Sequence, residues 1–160
     1  MFIETDEGTL TNTVTEVDNF PQKVLLATQS DRDEIDLLSK RCIVFAKEYL
    51  NINHEPTLKE LDQAFLLWQI KDKKKYTDED IKQIIGSYFG NYCVNNADME
   101  WVFVEDKYGK ELAVQSNVYE VISFPYSIVQ KRIDNNENTF LNNVYILITH
   151  QLNEERSKKR

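Results

Sequence analysis

The stretch from Asp98 to Arg132 constrains the fold most, because it predicts three consecutive strands followed by a helix. Within residues 99–104, Trp101 and its alternate neighbours share one face of a strand. The opposite face is also apolar after Glu100. A strand that is apolar on both faces is typical of the centre of a sheet with covering layers on both sides. The sequence therefore predicts a central strand at about 99–104.

The residues that follow predict an antiparallel continuation of this strand. Gly109 ends a four-residue turn in which it supplies the left-handed position, so residues 110–115 return antiparallel. After a second turn, residues 118–124 alternate as a third strand. Pro125 then begins a short helix that is predicted to end at about Asp134.

Three amphipathic helices are predicted before this stretch and one after it. The first covers about 31–50 with Ser30 as its N-cap, and the second begins at a capping box in residues 57–60. The third begins at Thr77. The last covers 139–152 and has the widest apolar face, so it is predicted to be the most buried helix.

These elements predict an α+β fold in which a small antiparallel sheet packs against helices. The sheet has at least three strands, at about 99–124, and the N-terminal helices and a C-terminal helix pack against it. At 160 residues the chain is most simply one domain. We predict an extended or poorly ordered arm at 1–28, a single α+β domain at 29–153 and a basic tail at 154–160.

The charge balance favours a protein partner over a nucleic acid. The net charge is −8, and four of the 19 basic residues fall in the last five positions. Without them, 15 basic residues stand against 27 acidic ones, a net charge of −12. Such a surface repels phosphate backbones and attracts a basic partner through electrostatic steering. The alternative is acidity that only keeps the protein soluble.

The sequence also predicts a cytoplasmic protein that does not contact a membrane. No apolar run approaches the roughly 20 residues needed to cross a bilayer. The first residues lack the basic start and the apolar core of a signal peptide. Cys42 and Cys93 are each the lone cysteine of a predicted helix, which favours two reduced, buried thiols.

Two glycines in the third predicted helix require a physical reason. Glycine in a helix interior costs about 1 kcal/mol. Gly86 and Gly90 are four residues apart and therefore share one side of the helix. The spacing predicts close approach of another backbone at that side. Access of a ligand to the same flat surface is the alternative.

The carboxyl half of the chain resembles a known family. It contains IGSYFGNY, then DMEWVFVEDKYGKELAV, then SFPYSIVQKRI, then an apolar helix. In this order and spacing, residues 85–152 are similar to a bacterial family known only as domain of unknown function 3806. The resemblance implies a small α+β domain and a bacterial origin. It transfers no catalytic residue, because no activity is established for the family. The positions to which we assign structural roles are Gly86, Gly90, Trp101, Gly109, Pro125 and Arg132.

Familiar catalytic and metal-binding patterns are not found in the sequence. The two histidines, His54 and His150, lack the i, i+4 spacing of zinc ligands, and no CxxC motif occurs. No glycine-rich phosphate loop and no GxSxG motif occurs either. We therefore predict no metal, no cofactor and no catalytic residue.

One pair of carboxylates leaves an enzymatic alternative open. Asp98 and Glu100 are two apart on a strand and share a face, so they could act as acid and base in a small hydrolase. The alternative is that Asp98 and Glu100 have no catalytic role and only keep the end of the strand hydrated. An ion pair from Asp98 or Glu100 to Arg132 is also expected.

Together these features favour a non-enzymatic, acidic cytosolic binding protein. Its most concrete form is an immunity-type inhibitor that binds and neutralises a basic toxin or nuclease. This function predicts exposed carboxylates around an aromatic or aliphatic anchor. A small hydrolase and a structural subunit that pairs through the last helix are the alternatives. The predicted partner-binding residues are Asp98, Glu100, Glu105, Asp106, Tyr108 and Glu111.

Overall fold

The fold is α+β, with one five-stranded sheet and five helices in the described part of the chain. A computed structural model describes residues 2–3, 22–71, 75–136 and 140–158. The strands are β1 (Phe2–Ile3), β2 (Lys23–Leu26), β3 (Met99–Asp106), β4 (Gly109–Ser116) and β5 (Ile122–Ser123). The helices are α1 (Gln29–Leu50), α2 (Leu58–Lys71), α3 (Asp78–Asn96), α4 (Pro125–Asn135) and α5 (Leu141–Lys158).

The sheet is built around the β3–β4 hairpin. Its strand order is β1-β5-β4-β3-β2, with β1 parallel to β5 and every other neighbouring pair antiparallel. Asp106 lies opposite Gly109, so only two residues form the turn. Gly109 has a φ of 131°, and the Asp106 carboxylate accepts a hydrogen bond of 2.8 Å from the Tyr108 N–H. Such a φ favours glycine, as the sequence predicts at this turn.

β2 lies within the residues that are predicted as an arm. It pairs with β3 over its whole length, from Lys23 opposite Glu105 to Leu26 opposite Val102. A four-residue strand has too little alternation to be recognised in a sequence without its partner. Of the rest of the predicted arm, β1 pairs with β5, and residues 1 and 4–21 lie outside the described residues.

The third predicted strand, at 118–124, is shorter than expected, since only Ile122 and Ser123 form β5. The Ser116 hydroxyl accepts hydrogen bonds from the N–H groups of Val118 and Tyr119, at 3.1 and 3.0 Å. These bonds hold the chain in a local turn. A side chain that bonds to nearby backbone in this way competes with strand pairing, which alternation of apolar residues does not reveal.

The first helix begins two residues earlier than predicted. Its cap is Thr28 and not Ser30, because the Thr28 hydroxyl accepts from the Asp31 N–H and the Asp31 carboxylate accepts from the Thr28 N–H. This is the same reciprocal arrangement that begins the next two helices. Those two capping boxes join Thr57 to Glu60 and Thr77 to Asp80.

α3, rather than α5, is the most buried helix. Nine residues of α3 are buried, against four of α5. Leu147 of α5 is 50% exposed, so the wide apolar face predicted for this helix is only partly covered. α5 also continues to Lys158, through most of the predicted basic tail, and Lys159 and Arg160 lie outside the described residues.

Both faces of β3 are buried, as expected for a central strand. Met99 and Trp101 join Val114 of β4 in the main core with the helices. Val102 and Val104 face the other way and belong to a second, smaller buried cluster. None of the helices in the described ranges combines the length and the apolarity that crossing a membrane requires.

Candidate functional site

Two aromatic rings fill the side of α3 that the glycines leave open. A Cβ atom at Gly86 would lie 2.4 Å from Cδ1 of Tyr126, and one at Gly90 would lie 2.0 Å from Cζ2 of Trp101. The two rings are stacked, with centroids 5.9 Å apart and planes inclined by 29°. The prediction that another backbone approaches this side of the helix is therefore wrong, because aromatic side chains approach it instead. The same rings cover the flat surface that the ligand alternative requires.

Hydrogen bonds fix both rings in place. The Trp101 Nε1–H donates to Oδ1 of Asn91 at 2.9 Å, and Nδ2 of Asn91 donates to Oδ1 of Asp36 at 3.0 Å. The Tyr126 hydroxyl and the Ser87 hydroxyl are 2.7 Å apart. Burial raises the pKa of Tyr126, an effect that the bond with Ser87 opposes in part. These bonds connect α1, α3, β3 and α4 around the stacked rings.

An open cleft adjoins the Tyr126 ring, between the β3–β4 hairpin and the helices α3 and α4. Its volume is about 450 Å³, which is within the range of small-molecule sites. The residues that line it are Lys82, Gln83, Phe103, Lys110, Glu111, Leu112, Tyr126, Ser127 and Gln130. They come from four elements, so the fold and not a local motif assembles this cleft.

The cleft combines an apolar floor with charged walls. Phe103 and Leu112 lie opposite each other in the hairpin and form the floor. The Lys110 Nζ lies over the Phe103 ring, 4.5 Å from its centroid. The Lys82 Nζ is 3.0 Å from a carboxylate oxygen of Glu79, outside the cleft. On the remaining wall, the Ser127 hydroxyl donates a hydrogen bond to the Glu111 carboxylate.

The hairpin separates the predicted partner-binding residues. Asp98 and Glu100 lie at the start of β3, while Glu105, Asp106 and Tyr108 lie at its turn. Six residue steps along a strand, from Glu100 to Asp106, span roughly 20 Å. Glu111, the sixth predicted residue, lines the cleft instead. The structure therefore does not bring the six residues into one patch.

The exposed positions of Asp98 and Glu100 remove the premise of the hydrolase alternative. Both are exposed, and the Asp98 carboxylate accepts a hydrogen bond of 2.8 Å from Nδ2 of Asn117. Arg132, the predicted ion-pair partner, lies with its guanidinium carbon 5.6 Å from the centroid of the Phe140 ring.

β2 presents an apolar edge to solvent. It is the last strand on its side of the sheet in the described part of the chain. Its three apolar residues are exposed: Val24 by 41%, Leu25 by 46% and Leu26 by 65%. The Ala27 N–H donates to the Trp101 carbonyl at 3.1 Å. Because such bonds alternate in antiparallel pairs, the main-chain groups of Val24 and Leu26 point away from β3, to the open edge.

The helix α1 begins two residues after β2, and its start is rich in acidic side chains. Residues 29–36 contain four carboxylates and one cation, Arg32. Hydrogen bonds from the backbone and hydroxyl of Thr28 lower the pKa of Asp31, so its charge is maintained. Asp31, Asp33 and Glu34 are also positioned to interact favourably with the helix dipole. We use the name β2–α1 surface for Val24, Leu25, Leu26, Asp31, Asp33, Glu34 and Asp36. Helical spacing distributes the four carboxylates around α1, and Asp36 also accepts a hydrogen bond from Asn91.

The histidines make local contacts on the surface. His54 Nε2 is 3.0 Å from the Glu60 carboxylate, and His150 Nε2 is 2.7 Å from the Glu154 carboxylate one helical turn away. Across the described ranges, no three side chains of the His, Cys, Asp and Glu types are grouped as a metal site requires.

Comparisons with known proteins identify a family but no activity. The model of DUF3806, a domain of unknown function, matches residues 63–145. No curated protein matches the chain. A crystal structure from Bacteroides thetaiotaomicron is similar, with a TM-score of 0.60 and 16% identity over 78% of this chain and 46% of that chain. This chain thus spans less than half of that protein's length, and at such identity the similarity shows the fold alone.

Proposed function

We propose, given that this chain belongs to the DUF3806 family of domains of unknown function, that it is a non-enzymatic protein-binding domain. Its partner is a basic polypeptide segment that adds as a strand along β2. One observation carries the proposal: an edge strand exposes all its apolar side chains and is followed, after two residues, by a helix whose first eight residues contain four carboxylates.

The backbone of β2 supports strand addition. The outward N–H and C=O groups of Val24 and Leu26 are a template for another extended chain. Main-chain hydrogen bonds supply affinity in this mode of recognition, and alternate side chains supply specificity. Natural edge strands are usually protected by charge, proline or bulges, whereas three of the four β2 residues are apolar.

The charges support a basic partner. The four carboxylates and Arg32 give residues 29–36 a net charge of −3, and the whole chain carries −8. Two predicted partner-binding residues lie on β3 near the ends of β2. Glu105 lies opposite Lys23, and Glu100 lies two residues beyond Val102, the partner of Leu26. Such a field accelerates association with a cationic segment and weakens as salt increases.

The most specific form of the proposal is an immunity-type inhibitor in the bacterial cytoplasm. There it would bind and neutralise a basic toxin or nuclease. A basic enzyme that acts on nucleic acid carries the Lys and Arg clusters that the carboxylates of the β2–α1 surface complement. The acidic character of the chain and the bacterial origin of the similar structure support this form.

A binding experiment with the full chain tests the proposal. The probe is a short peptide of alternating valine and lysine, titrated at about 20 mM and 300 mM salt. We expect saturable binding that weakens at high salt and shifts the backbone NMR signals of β2. A valine–glutamate peptide of the same length is the matched control, and we expect it not to bind.

Two variants separate strand addition from general charge attraction. Val24→Pro removes an outward N–H but no β2–β3 hydrogen bond, and proline is tolerated on an edge with this geometry. We expect it to abolish binding, whereas Leu37→Ala, which alters an exposed apolar side chain on α1, should bind normally. Equal binding by the wild type and Val24→Pro would overturn the proposal.

A further inference from the structure

The cleft beside Tyr126 differs in charge from the rest of the molecule. The chain has eight more acidic than basic residues, yet the cleft is lined by two lysines and one carboxylate. The lysines come from different elements, Lys82 from α3 and Lys110 from β4. The carboxylate is that of Glu111, and it accepts a hydrogen bond from the hydroxyl of Ser127 on α4.

An incoming anion can compete for both lysines. Lys82 pairs with Glu79, three residues earlier in the same helix, and the side chains are 25% and 62% exposed, respectively. Ion pairs between neighbouring turns of one helix contribute about 0.2–0.5 kcal/mol. Lys110 extends over the Phe103 ring, which holds its ammonium group directly above the apolar floor. A ligand that binds against Phe103 would therefore lie next to the ammonium group of Lys110.

The remaining walls suit an apolar or aromatic group. The floor is made by Phe103 and Leu112, and the Tyr126 ring closes one side. Stacking and edge contacts with aromatic rings are favourable for a planar ligand. The side-chain amides of Gln83 and Gln130 also line the cleft. Each donates one hydrogen bond to a carboxylate on its own helix, Glu79 and Asp134, and each NH₂ group has a second N–H. The volume, about 450 Å³, accepts a ligand of one or two rings.

We infer that this cleft binds a small organic anion. The carboxylate or phosphate of the ligand lies between Lys82 and Lys110, and its apolar part lies on Phe103 and Leu112. The site adjoins the β2–α1 surface, since Leu25 lies opposite Phe103 and the charge of Lys110 contributes to the lowered pKa of Asp31. It uses different residues, and the inference does not depend on the proposed protein partner. Nothing in the resemblance to the family assigns a ligand to these residues.

Titration of the full chain with four small probes tests the inference. Phenylacetate and phenyl phosphate carry the two possible acidic groups, while phenethylamine and phenylethanol keep the ring but carry a positive charge or none. We expect one or both anions to bind saturably and to shift the NMR signals of the residues around the cleft. The anion that binds with the higher affinity identifies which acidic group, carboxylate or phosphate, the cleft prefers. The amine and the alcohol should bind at least about tenfold more weakly.

Lysine variants locate the binding. We expect Lys82→Gln and Lys110→Gln each to weaken anion binding by about tenfold, since each removes a charge-assisted contact. The control is Lys107→Gln, which removes a lysine that lies over the exposed Tyr108 ring at the hairpin turn. It should bind like the wild type.

Three results would overturn the inference. They are binding of phenethylamine as tight as that of the anions, equal losses in Lys107→Gln and Lys110→Gln, and no saturable binding of either anion up to about 10 mM. All variants alter partly or fully exposed side chains, so an unchanged amide spectrum confirms that each remains folded. The Val24→Pro variant distinguishes the two proposals, because it alters the edge of β2 and leaves both lysines of the cleft in place.

Discussion

At the scale of single residues, the glycines show what a sequence can and cannot specify. The spacing of Gly86 and Gly90 predicts that something approaches α3 closely. It does not identify the rings of Tyr126 and Trp101. Tyr126 is 40 positions after Gly86, and helical periodicity carries no information about which distant side chain will pack against a face. The partner becomes known only when the hairpin and α4 are placed.

Gly90→Ala should destabilise the protein by about 1–3 kcal/mol. The new methyl would lie 2.0 Å from Cζ2 of Trp101, and overpacking of this kind costs more than the roughly 1 kcal/mol of helix propensity that alanine adds. Urea denaturation measures the change in the free energy of unfolding. Asn95→Ala, at an exposed position of the same helix, is the control and should be neutral or slightly stabilising. An equally stable Gly90→Ala would contradict the packing described for Trp101.

The two cysteines should be unreactive in the folded protein. Cys42 and Cys93 are 0% exposed, and burial raises the pKa of both thiols, that of Cys93 to about 12. Only the thiolate reacts with disulfide reagents. We expect Ellman's reagent to modify neither thiol rapidly in native buffer and both in denaturant. Rapid modification of one thiol in native buffer would show that its helix opens locally.

At the scale of elements, α5 is held by a residue of another helix. Asp62 of α2 is 3% exposed, and its carboxylate accepts hydrogen bonds from the N–H groups of Leu141 at 2.9 Å and Asn142 at 3.3 Å. It thereby satisfies free N–H groups at the start of α5, as a local cap would. A cap that is 79 positions away cannot be read from local patterns, whereas the capping boxes of Thr57 and Thr77 can, because all their parts lie within four residues.

The contribution of Asp62 to stability should depend on pH. Burial raises its pKa above the usual 3.8, although the backbone donors of α5 oppose this. The folded state therefore binds this proton more tightly than the unfolded state. The resulting stabilisation is full below pH 3.8 and is lost as the pH rises through the raised value. We expect the stability of the wild type relative to Asp62→Asn to fall over that interval.

The same measurement on Glu60 should give the opposite sign. Hydrogen bonds from the Thr57 backbone and from His54 lower the pKa of Glu60 below its usual 4.5. Its stabilisation is therefore full above pH 4.5 and is lost as the pH falls through the lowered value. Urea denaturation of both variants across pH 3–7 checks the two slopes. Parallel pH dependence of Asp62→Asn and Glu60→Gln would contradict both assignments.

At the scale of the molecule, the centre of the sheet is predictable and its edges are not. Apolar alternation and Gly109 identify the β3–β4 hairpin, and helical periodicity identifies the helices. β1 and β2 have two and four residues, and their pairing depends on partners far along the chain. The candidate sites depend on the same distant placements. The cleft joins side chains from residues 82–83, 103–112 and 126–130, and the β2–α1 surface exists only because β2 occupies an edge.

The net charge of the molecule should make its stability depend on salt. Eight excess negative charges repel one another in the compact state, and salt screens that repulsion. We expect the melting temperature to rise by about 2–4 °C between roughly 10 mM and 150 mM sodium chloride at pH 7, equivalent to about 1 kcal/mol. The same series near pH 4.8, the isoelectric point, is the control and should show little change. A lower melting temperature in salt at pH 7 would indicate that attractive pairs dominate.

The topology of the sheet also sets an order of folding during synthesis. Phe2 and Ile3 pair with Ile122 and Ser123, 120 positions later, and Lys23 pairs with Glu105. At about 5–20 residues per second, the ribosome needs roughly 6–24 s to make the partner of the first strand after making that strand. The β1 edge must therefore be added after the central hairpin has emerged, and the β2 edge after β3 has emerged. Each of these strands is made long before the strand with which it pairs.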